Sequence, residues 1–138
     1  MPTVTVSFTP LPAHVRTARF IAASVGRRAG LPEPVLDEIR LAVSEACSLA
    51  VRFHAAQAPS EPVQLRLIES AAQFSVQVAD SVHRQAPDRA GDFSLDLDLV
   101  DLPGHERIGL AVISGLVDDV TVEYGASGSV VTMTWPLG

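Results

Sequence analysis

The 138-residue chain contains no lysine, no asparagine and only one cysteine. All ten basic residues are therefore arginine, set against sixteen acids for a net charge of −6. Such a chain lacks the concentrated basic surface that phosphate backbones demand, which argues against nucleic acid as a partner. The lone Cys47 excludes an intramolecular disulfide, and its apolar neighbours point to a reduced core thiol rather than a nucleophile. No apolar run approaches the ~20 residues that cross a bilayer. The opening MPTVTVSFTP has neither the basic n-region nor the apolar h-region of a secretory leader, so a cytoplasmic protein is expected. The four histidines (His14, His54, His83, His105) lack metal-ligand spacing, and DFSLDLDLVD lacks the glycine and terminal glutamate of a calcium loop. No metal site is expected.

What is present is an ordinary globular composition, 47% apolar and 19% charged, long enough for one domain (1–138) with its own core. TVTVSF alternates from Thr3 to Phe8 and predicts a strand, ended by Pro10 and Pro12. Val15, Ala18, Ile21, Ala22 and Val25 recur at helical spacing between Ala13 and Ala29, with Gly30 as the cap. A second helix starts near Glu33 and Pro34, acids first as the helix dipole prefers, and is expected to end near His54. Its core stripe is Leu36, Ile39, Val43, Cys47 and Ala50. VQLRLIE and FSVQVAD, separated by SAAQ, predict a hairpin whose second strand ends at Asp80.

The segment 81–106 holds two prolines, two glycines and five aspartates, and is read as a lid-like loop. FSLDLDLVDL within it alternates, but its acids make it a poor core strand. RIGLAVISGLVDD restores helical periodicity, and VTVEYGASGSVVTMTW closes the chain as a hairpin turning at Gly125 and Gly128. Strands clustered in hairpins define an α+β fold: a two-layer sandwich of a mostly antiparallel sheet with helices on one face.

Three segments, LAVSEACSLAVRFH on a helix, VQVAD at a strand end and RIGLAVISGLVDDV after the lid, together resemble the anti-sigma serine kinases of the GHKL (histidine kinase-like) ATPase superfamily. The resemblance runs over nearly the whole chain and implies the Bergerat-like architecture of that superfamily. It also implies roles for particular residues. Glu45 matches the base that activates the phosphate acceptor, Leu49 stands where an asparagine holds magnesium, and Asp80 matches the acid that receives the adenine amino group. Val82 and Arg84 replace glycines that follow that acid. Arg107 and Gly109 match the two glycines of the phosphate-cradling helix start, Arg107 replacing the first.

These departures have chemical weight. Magnesium takes oxygen ligands in near-octahedral geometry, and leucine offers none. No asparagine elsewhere can substitute, and the Ser48 hydroxyl points about 100° away round the helix. Side chains at 82 and 84 occupy positions where the resemblance implies open backbone, and β-branched Val82 resists the conformations glycine permits. Three separated losses read as an abandoned nucleotide pocket without catalytic residues, and no cofactor is expected. The surviving matches have plain readings too: Glu45 as a cap or ion pair within the helix pair, and Asp80 as a turn residue.

With catalysis removed, the resemblance implies a homodimeric module of stress or developmental regulation. It binds an RNA polymerase sigma factor and releases it to a STAS-type anti-anti-sigma antagonist. In such relatives a first-helix arginine is central to the partner surface, and VRTARF offers Arg16 and Arg19, three residues apart on one face. Dimerisation would pair the first strand across a two-fold axis. Two other readings stand beside this one. The first is an active kinase using ATP, magnesium and Glu45. The second is a sensor whose remodelled cleft, lined by Leu49, Val82, Arg84 and Arg107, takes another small anion.

Overall fold

The fold is that of a computed structural model, which describes residues 3–82, 93–94 (backbone alone), 111–125 and 128–137. Strand β1 (Thr3–Phe8) leads to helices α1 (Pro12–Arg28) and α2 (Glu33–Gln57). The hairpin β2 (Val63–Glu69) and β3 (Gln73–Asp80) follows. The short β4 (Phe93–Ser94) precedes the closing hairpin of β5 (Asp119–Gly125) and β6 (Gly128–Pro136). All pairings are antiparallel, in the order β1-β2-β3-β6-β5-β4.

Register explains why the sheet has one dry face. Val6, Leu65, Val78, Val131 and Val122 lie opposite one another across five strands, and Val4, Leu67, Val76, Met133 and Val120 form the next row. Because side chains alternate along a strand, these rows share one face. They form a single core with Ala18 and Ala22 of α1, Leu36, Ile39, Val43 and Cys47 of α2, and Ile113. The intervening row, Thr5, Arg66, Gln77, Thr132 and Thr121, is polar and faces away from the helices. The architecture is the expected α+β sandwich.

The helix ends follow local chemistry. Pro12 opens α1, where its missing N–H costs nothing. At the other end Leu31 N–H donates to the Gly26 carbonyl and Gly30 N–H to that of Arg27, with Gly30 at φ +98°. That is a Schellman closure, and it needs the left-handed conformation glycine supplies. Helix α1 can lie close to α2 because its buried positions are Ala18, Ala22, Ala23 and Gly26; a Cβ on Gly26 would come within 3.1 Å of Leu36.

Two boundaries differ from expectation. Helix α2 runs three residues past His54, to Gln57, because the buried His54 ring satisfies carbonyls beyond the helix end. The helix expected through Leu116 or Val117 is helical at 111–114 and turns at Gly115–Leu116. There Leu116 N–H donates to the Ile113 carbonyl, and the Leu116 carbonyl accepts the Trp135 indole N–H at 3.3 Å, which fixes the turn against β6. Phe93–Ser94, inside the lid-like segment, pairs with β5 as an edge strand. The rest of that segment beyond Val82 lies outside the described residues.

Candidate functional site

The strand-end acid sits in a built environment. Asp80 Oδ1 accepts the Val82 N–H at 3.1 Å, an Asx turn of the kind that makes aspartate common after strands. The same oxygen accepts the Ser129 N–H at 3.3 Å, and Oδ2 accepts the Ser129 hydroxyl at 2.8 Å. Ser129 is buried and lies directly opposite Asp80 in the β3–β6 register. Sequence reasoning missed it, because nothing local in SGSVV announces which strand it will meet. Gly128 makes the meeting possible. A Cβ there would lie 1.9 Å from the Asp80 carbonyl oxygen, and φ is +144°.

A second device holds the same segment. His54 is fully buried. Its Nδ1 lies 3.2 Å from the Ala58 carbonyl oxygen and 3.0 Å from that of Glu61, and Nε2 accepts the Ser81 N–H at 3.1 Å. Two carbonyls at Nδ1 and a donor at Nε2 fix the proton on Nδ1. One ring thus ties the end of α2 and the α2–β2 loop to the residues just after Asp80. Val82 is buried, so the backbone that the resemblance leaves open carries a packed side chain.

On α2, Glu45 is half-buried, and among the described residues it has no hydrogen-bond or ion-pair partner. Leu49, one turn on, is 4% exposed and belongs to the hydrophobic core. Ser48 faces elsewhere, into a cavity between α1 and α2, as the helical rotation requires. Cys47 is wholly buried; desolvation of the thiolate pushes its thiol from 9.0 up to about 12, and it stays protonated as a packing group.

The magnesium and nucleotide that the resemblance implies can be tested against these side chains. At the metal position a buried hydrocarbon offers no donor atom. At the adenine position both carboxylate oxygens of Asp80 are engaged: Oδ1 accepts two N–H groups and Oδ2 the Ser129 hydroxyl. Among the described residues, the side chain at the metal position does not fit a magnesium ion. Arg84, Arg107 and Gly109 lie outside the described residues.

Arg16 and Arg19 do share one face of α1. Both line the α1–α2 cavity of about 360 Å³, with Ser48 and Arg52 of α2 on its other side. Arg19 reaches the Ser44 hydroxyl at 3.5 Å, and no carboxylate pairs with either arginine among the described residues. Beside them Phe20 is 71% and Leu41 57% exposed. Neither of these apolar residues stands out in the sequence, since each fits an amphipathic helix until the helix's orientation is known.

The chain is an antiparallel sheet covered on one face by two long helices, with an acid in the middle of the second helix and an aspartate at a central strand end. It belongs to the histidine kinase-like ATPase domain family, whose model matches residues 8–135. No curated protein matches it in sequence. Among solved structures it is similar to the RsbU and RsbW domains of Rv1364c from Mycobacterium tuberculosis, with a TM-score of 0.73 and 19% identity over 99% of this chain and 33% of that one. It is also similar to the histidine kinase domain of the Erythrobacter litoralis EL346 blue-light activated histidine kinase, with a TM-score of 0.56 and 23% identity over 95% of this chain and 64% of that one. At these identities the likeness is one of fold. The chain spans a third of the first relative and just under two thirds of the second.

Proposed function

We propose that this chain is an anti-sigma factor that sequesters an RNA polymerase sigma factor by direct binding, has lost kinase activity, and yields to a STAS-type antagonist. The observation that carries the reading is the α1–α2 face. Arg16 and Arg19, without carboxylate partners among the described residues, stand beside exposed Phe20 and Leu41. Arginine and aromatic side chains are the groups that dominate binding hot spots, and an exposed Phe in a charged rim marks a contact surface. Loss of the kinase step rests on Leu49, whose burial makes it a core residue rather than a vacant ligand position. Release of sigma then follows competition and needs no phosphate transfer. We also propose a homodimer paired through β1, an edge strand with no second strand neighbour among the described residues.

The test is titration of the purified chain with each sigma factor of its own organism, followed by light scattering of the complex. One sigma factor should bind at micromolar Kd or tighter, Arg19→Ala should weaken it about tenfold, and the complex should contain two copies of this chain. Failure of every sigma factor to bind at tens of micromolar overturns the reading. The kinase reading draws support from Glu45, the half-buried acid without a partner among the described residues; nucleotide binding decides it.

A further inference from the structure

The α1–α2 cavity carries more than a partner contact. Arg16 and Arg19 on α1 and Arg52 on α2 line one space, and among the described residues no carboxylate lines it with them. Three guanidinium groups gathered without an acid among the described residues are unusual in a chain of net charge −6. The neighbouring groove makes the contrast plain. It shares Arg16 and Arg19, but there Arg40 is neutralised by Asp37 at 2.6 Å. The other described arginine in an ion pair, Arg27, is held by Glu33 at 3.0 Å. Within the cavity, Arg16 and Arg52 have no hydrogen-bond or ion-pair partner among the described residues, and Arg19 has only the long contact to Ser44.

We propose that this cavity is a binding site for a small organic phosphate monoester. The guanidinium fork matches phosphate oxygens in pairs, and one dianion offsets two of the three positive charges. The Ser48 hydroxyl supplies a neutral donor on the α2 wall. Val15 and Val51 line the same space, so the part of the ligand carrying the phosphate meets hydrocarbon. At about 360 Å³ the cavity exceeds what a bare phosphate fills and lies at the lower end of the range for small-molecule sites. The site is distinct from the Asp80 strand end: Ser48 and Arg52 lie on it, whereas Leu49 turns into the core. Because Arg16 and Arg19 also belong to the proposed partner face, an occupied cavity would compete with the sigma factor; that consequence rests on the function proposed above, whereas ligand binding itself does not.

The experiment is an NMR titration of the full chain with phenyl phosphate, with inorganic phosphate as a second titrant. Phenyl phosphate should bind saturably, shift the amides of residues 16, 19, 48 and 52, and bind more tightly than inorganic phosphate. Arg16→Gln and Arg52→Gln, both at exposed positions, should each weaken it about tenfold, while Arg66→Gln on the polar sheet face leaves it unchanged. No saturation by about 10 mM, equal affinity in Arg52→Gln, or inorganic phosphate binding as tightly as phenyl phosphate would each overturn the proposal. Phenyl phosphate binding without any sigma partner would separate this site from the function above.

Discussion

Leu49 decides how the helix-borne acid is read. Its position is one turn from Glu45, where the resemblance calls for an amide, yet its side chain is packed among core residues. Restoring the amide therefore has a structural penalty before it can have a functional gain. Leu49→Asn removes buried hydrocarbon and inserts a polar group without a partner, and should lower stability by about 3 kcal/mol. Urea denaturation measures this directly. A loss below ~1 kcal/mol would mean that the position is open to solvent or to polar neighbours, and the account of an abandoned site would lose its basis. Asp80 shows the opposite situation: the acid that the resemblance implies is present, but turn and register bonds to Val82 and Ser129 already give it structural work.

At the level of elements, the end of β3 is the most constrained junction described. His54, Ser129 and Gly128 meet it from α2 and β6. Gly128→Ala should distort this junction, because its Cβ would collide with the Asp80 carbonyl at a φ that L-residues rarely adopt. The expected loss is about 2 kcal/mol or more, read as a lowered Tm against Gly115→Ala, where the nearest atom is 3.5 Å away and little change is expected. Equal effects would show that close approach at Gly128 is relieved by backbone movement.

The contrast also shows what a sequence reveals. Strands β1, β2, β3, β5 and β6 and the starts of both helices are legible, because alternation, helical spacing and Gly30 are local signals. Ser129, His54 and Arg52 are not. Each acts through a partner set by strand register or helix orientation, and those are decided by packing of the whole core. Glu45, Asp80 and Arg19 are singled out only through resemblance, while the cavity that joins Arg16 and Arg19 to Arg52 emerges only when α1 lies on α2.

For the whole molecule, membership of the histidine kinase-like ATPase domain family fixes the scaffold but leaves its use to be argued from side chains. The scaffold here carries a buried leucine, Leu49, one turn from Glu45 and presents arginines and apolar groups on its helices. The central claim is that the fold serves binding rather than phosphate transfer. Calorimetric titration of the purified chain with ATP and magnesium, and with ADP and magnesium, tests it most directly. The account predicts no measurable binding at about 1 mM nucleotide. Magnesium-dependent binding at micromolar concentration would contradict it and make Glu45 the base of a working kinase.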